Sequence, residues 1–182
     1  MFKINYRITS DLEELKHLSE QKIREGVSIE GFFELEINDK KYGYYKSGPL
    51  QIGEEGLDLI TEWFEGLLTV LIALKKSNSY VALSDIDSYN TWLEFKSLQD
   101  GMVSISVIMA EKESGSGQVE TEPLKNAIYS DWANEVISYD EMLREVINKA
   151  NEYCSHLNEI NEKLVKGNRF IQLKNLELSL EM

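Results

Sequence analysis

The segment from 57 to 74 constrains the fold most strongly, because its sequence, LDLITEWFEGLLTVLIAL, is apolar on most sides of a helix. Its polar residues form one narrow line: Asp58, Glu62, Glu65 and Thr69. A helix of this kind is enclosed by a protein core or placed in a membrane. The acidic residues leave only 66–74 free of charge, which is too short to span a bilayer. We therefore predict a central core helix in a soluble protein.

A hairpin pattern precedes this helix. Residues 27–37 (VSIEGFFELEI) end in alternating apolar and acidic side chains, which is the period of a strand with one buried face. A turn at Asn38-Asp39 and a returning strand at 41–45 complete a β-hairpin.

A second hairpin follows the helix. Strands are predicted at 80–83, 90–98 and 102–109, and the last two are joined by Gln99-Asp100-Gly101, a typical hairpin turn. In 102–109 (MVSISVIM) apolar residues alternate with serines, so we expect one face of this sheet to contact water.

The N-terminal region predicts a strand followed by a helix. Residues 3–8 alternate enough for a short strand. The capping box Ser10-x-x-Glu13 then precedes an apolar helical period that Gly26 ends. The first fifteen residues lack the apolar stretch and cleavage site of a secretory signal, so we expect a cytoplasmic protein.

The C-terminal region predicts a long helix. The capping box Ser138-x-x-Glu141 opens an amphipathic pattern over about 139–165, whose apolar stripe could pack in the core or against a second copy. The tail at 170–180 is amphipathic as well and fits either a short helix or an edge strand.

Together these elements predict one α+β domain over 1–182. We expect an antiparallel sheet of about five to six strands in two hairpin units, packed by the central apolar helix and the long C-terminal helix. The acidic Gly/Ser segment at about 111–123 (EKESGSGQVETEP) is predicted to be a flexible loop. Its Gly-Ser-Gly lacks the frame of a phosphate-binding loop.

Acidic residues dominate the charge of the chain. The net charge is −13, and the segment 57–137 alone holds 13 acidic and 5 basic residues. Such a field repels nucleic acid and anionic membranes and attracts basic partners. Acidity of this size also serves solubility alone, so the charge does not by itself identify a partner.

The residues that usually carry catalysis are sparse. The chain has one cysteine and two histidines, and Cys154 and His156 lie two positions apart on the predicted helix. Two positions rotate the side chains by about 200°, so a thiol and its base would face apart. We predict a protein that is not an enzyme, with no cofactor and no metal site.

Asp85 and Asp87, in LSDIDSYN, form the one motif that resembles a metal site. Paired carboxylates hold divalent ions in phosphoryl-transfer enzymes, because such ions prefer oxygen ligands. The same residues are also common in turns, and no third carboxylate with supporting spacing accompanies them. A metal-dependent enzyme that uses Asp85 and Asp87 is therefore an alternative.

Acidic residues and aromatic residues with polar tips mark the predicted contact surface. Aromatic side chains bury a large area at low entropic cost, and here acidic rather than basic residues surround them. The predicted partner-binding residues are Tyr44, Asp85, Asp87, Tyr89, Trp92, Glu94, Asp100, Glu111 and Glu113.

Three segments together carry a family resemblance. FFELEINDKKYGYY at 32–45, the helix at 57–74 and YVALSDIDSYNTWLEFK at 80–96 resemble, in this order, the small immunity proteins of bacterial polymorphic-toxin systems. The resemblance covers about half the chain and implies an acidic cytoplasmic α+β protein that binds and occludes a co-produced toxin domain with a basic groove. The alternative from the residues alone is a scaffold or regulatory protein that oligomerises through the long helix.

Overall fold

The computed structural model describes residues 1–51, 56, 58–113 and 115–181, which form ten strands and five α-helices. In chain order they are β1 (Phe2–Ile8), α1 (Leu12–His17), α2 (Glu20–Glu25), β2 (Glu30–Ile37), β3 (Lys40–Tyr44), β4 (Asp58–Leu59), α3 (Ile60–Lys75), β5 (Tyr80–Ser84), β6 (Thr91–Ser97), β7 (Met102–Met109), β8 (Val119–Glu120), β9 (Ile128–Tyr129), β10 (Glu135–Ser138), α4 (Tyr139–Ile160) and α5 (Asn168–Glu181).

The strands confirm the α+β class and divide between two antiparallel sheets rather than forming one. In the first sheet β2 pairs with β1 on one edge and with β3 and β4 on the other. The second sheet has the order β10-β7-β6-β5-β8, and β9 also pairs with β7. The division follows from α3, which separates the two hairpins in the chain and packs against β2 of one sheet and β5 of the other.

Helix α3 lies in the middle of the core, as its apolar sequence predicts. Most of its side chains are fully buried, and one continuous cluster of buried apolar residues joins it to both sheets, α4 and α5. The helix begins at Ile60 rather than at 57, because 58–59 pair with β2 as strand β4. Among the described residues no helix combines the length and apolar character needed to cross a bilayer.

The structure has two short helices where one N-terminal helix was predicted. The predicted capping box Ser10-x-x-Glu13 is wrong, because Ser10 does not cap the first of them. Asp11 caps α1 by accepting from the backbone N–H groups of Glu13 and Glu14. The Ser10 hydroxyl oxygen instead accepts from the Glu30 N–H at 2.8 Å. Leu18 is extended and Ser19 caps α2, so the helical path breaks between them. Two serines and an aspartate in one segment offer several local caps, and the tertiary contact with β2 selects among them.

The predicted C-terminal helix is shorter than its apolar stripe. Helix α4 ends at Ile160, because Asn161 turns extended and its side-chain amide donates to the Leu15 carbonyl at 3.0 Å. A 3₁₀ turn follows, and the tail is the helix α5. Five residues of the stripe are fully buried in the core of this chain: Met142, Val146, Ala150, Tyr153 and Leu157.

The second capping box is also replaced by a tertiary contact. Ser138 precedes α4 without a side-chain capping bond, and Glu141 reaches across to β1. The Glu141 carboxylate accepts from the Phe2 N–H and the Glu145 carboxylate from the Ile4 N–H, both at 2.9 Å. Helix α4 therefore satisfies backbone donors along the outer edge of β1, where no strand of the described part of the chain pairs with it.

Candidate partner-binding site

Two acidic loops meet at one end of the second sheet. The loop between β5 and β6 carries Asp85, Asp87 and Tyr89, and the segment after β7 carries Glu111 and Glu113. The Ala110 N–H donates to the Asn90 carbonyl at 2.9 Å, and the Tyr89 hydroxyl lies 3.4 Å from the Lys112 carbonyl oxygen. These contacts bring together five of the nine predicted residues, which we call the acidic end: Asp85, Asp87, Tyr89, Glu111 and Glu113.

Asp85 holds the β5–β6 loop in shape. One of its carboxylate oxygens accepts from the backbone N–H groups of Asp87 and Ser88, each at 2.8 Å. The other accepts a short hydrogen bond from the Tyr42 hydroxyl on β3. Asp85 is thus both a turn residue, as the turn alternative predicted, and a link between the two sheets.

Asp58 adds a third carboxylate to this region. It accepts from the Phe33 N–H at 3.2 Å and from the Trp63 indole N–H at 3.1 Å. Burial, together with the negative charges of Asp87 and Asp85, raises the pKa of Asp58 to about 6, although the hydrogen bonds from Trp63 and Phe33 act to lower it. The pKa of Asp87 is also raised, by burial and by Asp85, while a hydrogen bond with Asp58 lowers it. The Asp58 and Asp87 carboxyls therefore interact directly.

Aromatic rings enclose this carboxylate group on the side of the first sheet. Tyr42 packs against Trp63 and Trp132 with ring centroids 6.2 and 6.3 Å apart. Burial and the hydrogen bond to Asp85 raise the pKa of Tyr42, so it remains a donor. Sequence reasoning missed Asp58, because it read the residue as part of the polar line of α3. The signal that could have found it is its position immediately before an otherwise apolar helix.

The oxygens of this group are mostly occupied by protein donors. Both oxygens of Asp58 and both of Asp85 accept hydrogen bonds from N–H or O–H groups. Within the described ranges no group of three or more His, Cys, Asp or Glu side chains is arranged to hold a metal ion.

Comparison with known proteins gives no relative for this chain. No family model matches it, no curated protein matches it, and no solved structure matches it. The resemblance to immunity proteins therefore stays a prediction, and the site is argued from its own geometry.

Trp92 and Glu94 are not surface residues, and their prediction as exposed partner contacts is wrong. Trp92 is fully buried, and its indole N–H donates to the Ala110 carbonyl at 3.0 Å. Glu94 is 3% exposed, forms an ion pair with Lys96 at 2.8 Å and accepts from the Tyr129 hydroxyl. Leu124, Ala127 and Tyr129 cover this face of the sheet. The prediction that this face contacts water is also wrong, because Ser104 and Ser106 are buried on it. The alternation of β7 carried no information on what covers the face.

Asp100 and Tyr44 are both exposed, but only Asp100 is shown to lie away from the acidic end. Asp100 occupies the β6–β7 hairpin turn with a φ of 58°, at the opposite end of the strands. A strand of this length spans roughly 20 Å. Tyr44 packs edge-to-face on Phe32 with a centroid distance of 5.5 Å and lies two residues after Tyr42 on β3. Asp100 therefore does not belong to the acidic end.

Cys154 and His156 have separate environments, as the helical rotation predicts. Burial raises the pKa of the Cys154 thiol to about 11, so the reactive thiolate is scarce at neutral pH. His156 pairs through Nδ1 with the Tyr6 hydroxyl at 2.8 Å.

We expect the substitution Asp87→Asn to lower the pKa of Asp58 from about 6 towards its ordinary value of 3.8. It removes a negative charge that disfavours ionisation of Asp58. Carboxyl ¹³C NMR titration measures this pKa directly. Asp100→Asn, at the far end of the sheet, is the matched control and should leave it unchanged.

The same shift predicts how stability depends on pH. The folded-state pKa of Asp58 exceeds its unfolded value, so the folded chain binds more protons between the two values. This stabilisation is complete below about pH 4 and is lost as the pH rises through about 6. Because Asp58 is only half-buried, we expect a loss of about 1 kcal/mol, and less in Asp87→Asn. An unchanged Asp58 pKa in Asp87→Asn would contradict the coupling.

Proposed function

We propose that this chain is a non-enzymatic binding protein of the immunity type, which uses the acidic end to occlude a basic toxin or enzyme domain. One observation carries the proposal. Tyr89 is 70% exposed, and its hydroxyl reaches the backbone between Glu111 and Glu113, with Asp87 two residues before it in the same loop. A large exposed aromatic side chain with exposed carboxylates beside it is an anchor suited to a cationic surface.

The physical terms of such a complex follow from this geometry. Tyr89 supplies contact area, and the acidic rim accelerates encounter with a partner of opposite charge. The segment 57–137, which contains the acidic end, also holds most of the net charge of −13. The hydrogen bonds of Asp85 fix the loop before binding, which reduces the entropy lost on association.

The partner is sought in the protein encoded by the adjacent reading frame. We expect that protein to inhibit growth when expressed alone and to be neutralised by co-expression of this chain. The purified pair should bind more weakly as ionic strength rises from about 0.05 M to about 0.5 M. A neighbouring protein that neither inhibits growth nor binds this chain would overturn the proposal.

We expect Tyr89→Ala to weaken this binding about thirtyfold, which corresponds to about 2 kcal/mol for the loss of a central aromatic anchor. Leu98→Ala is the control, because Leu98 is an exposed apolar residue at the β6–β7 turn, at the far end of the sheet, and its loss should leave the binding unchanged. Calorimetry of the purified pair measures both.

The charges are tested by reversal in the same assay. Glu111→Lys should slow association, whereas Asp100→Lys, which changes the net charge equally at the far end of the sheet, should have a smaller effect at physiological salt. Equal losses from both ends of the sheet would assign the effect to net charge and contradict a contact at the acidic end.

The two alternatives have less structural support. An oligomerising scaffold depended on the stripe of α4, and the fully buried residues of that stripe pack inside this chain. A divalent-ion enzyme would need Asp85 to exchange its three protein donors for an ion.

A further inference from the structure

A cleft of 410 Å³ lies between β1, α1 and α4, apart from the acidic end. This volume is within the range of small-molecule sites. Its apolar walls come from Ile8, Leu12 and Ile160. Leu12 is 46% exposed although it begins an amphipathic helix, so apolar surface remains open to a ligand here.

The charged groups of the cleft differ from those of the rest of the chain. Arg7, Lys16 and His156 line it with one acidic residue, Glu159, in a protein of net charge −13. The Arg7 guanidinium is fixed by donating to the carbonyls of residues 46 and 48, at 2.9 and 2.6 Å. Both carbonyl groups are neutral, so these two hydrogen bonds do not offset the positive charge of Arg7. Lys16 pairs with Glu13 at 2.6 Å and is 47% exposed, so it remains accessible.

His156 lies at the edge of the cleft beside Tyr6. The Tyr6 hydroxyl is hydrogen-bonded to Nδ1 of His156 across 2.8 Å. Burial and the neighbouring Glu152 raise the pKa of Tyr6, which keeps its hydroxyl protonated. The cleft thus combines apolar walls with the positively charged side chains of Arg7 and Lys16.

We propose that this cleft binds a small amphipathic anion, a carboxylate on an aromatic or aliphatic body. The body packs against Ile8, Leu12 and Ile160, and the carboxylate faces the ammonium group of Lys16. This inference goes beyond the proposed function, because neither the ligand nor the surface involves the acidic end.

The test compares two probes of the same shape and opposite charge, 1-naphthoate and 1-naphthylmethylamine. The net charge of the chain favours the cationic probe everywhere, so a preference for the anion requires a local site. We expect 1-naphthoate to saturate one site and to shift the methyl NMR signals of Ile8, Leu12 and Ile160. We expect the amine to bind there at least about tenfold more weakly. Equal or tighter binding of the amine, or shifts confined to other residues, would overturn the proposal.

Two matched pairs of variants locate the site. Lys16→Gln should weaken 1-naphthoate about threefold, whereas Lys22→Gln, at an exposed lysine outside the cleft, should not. Leu12→Ala should weaken it about fivefold, whereas Leu178→Ala, at an exposed leucine of α5, should not. Equal effects within either pair would contradict binding in this cleft.

Discussion

Phe64→Ala is expected to lower the free energy of unfolding by about 4 kcal/mol, the largest effect of a single substitution that we predict. Phe64 is fully buried at the junction of the first sheet with α3 and α4. Its ring stacks on Tyr153 with a centroid distance of 5.2 Å and meets Phe33 and Tyr6 edge-on at 5.3 and 5.7 Å. These neighbours belong to three different elements, α4, β2 and β1, so they cannot all move into the cavity that removal of the Phe64 ring would leave.

Urea unfolding monitored by tryptophan fluorescence measures this loss. Phe64→Leu keeps most of the volume and should cost about 1.5 kcal/mol or less. Leu178→Ala removes an apolar side chain that is largely exposed and should change stability by less than about 0.5 kcal/mol. A loss below about 1.5 kcal/mol for Phe64→Ala would mean that the core around it relaxes into the cavity.

Arg169→Met is expected to destabilise the chain by about 2 kcal/mol at neutral pH. Arg169 on α5 pairs with Glu62 and Glu65 on α3, and both carboxylates are mostly buried. One oxygen of each glutamate is buried and has no hydrogen-bond partner, so Arg169 is their main compensation. The expected loss is below that of a fully buried pair, because the Arg169 side chain is 33% exposed.

Two controls separate the missing charge from the missing side chain. Adding Glu62→Gln and Glu65→Gln to Arg169→Met should restore much of the loss, because no buried charge then remains. Arg24→Met breaks an exposed pair with Glu20 and should cost less than about 0.5 kcal/mol. The pKa of Glu65 is already raised by burial, so the deficit of Arg169→Met should shrink as the pH falls. A deficit that neither acidification nor the glutamine substitutions relieve would assign the effect to packing.

Local patterns predicted the central helix and six of the ten strands, but they missed the short strands β4, β8, β9 and β10. Strand β7 occupies Met102–Met109, as its alternation indicates. Helix α3 lies in the core, because at the protein surface every orientation of this helix would expose apolar side chains to water. The partition into two sheets was not predictable in the same way. Strand periodicity records which side chains share a face, but it contains no information on which edges meet across the chain.

The candidate site shows the same division. The polar loop with Asp85, Asp87 and Tyr89 was found from turn chemistry and composition, which are local. The burial of Trp92 depends on a covering segment that begins eighteen residues later, at Ala110, and the role of Asp58 depends on a carboxylate across the sheet boundary. The burial of Trp92 and the role of Asp58 both depend on contacts between distant parts of the chain, which local sequence patterns do not reveal.

The contact between α4 and β1 bears on how the chain is made. The strands of the first sheet leave the ribosome early, but Glu141 and Glu145, which occupy the outer edge of β1, follow β2 by about 100 residues. At typical translation rates that edge stays open for roughly 5–20 s in every nascent chain. An unpaired edge of this kind is a template for pairing with other chains. We therefore expect a fragment that ends before α4 to be prone to association, because the edge of β1 is covered only by the last quarter of the chain.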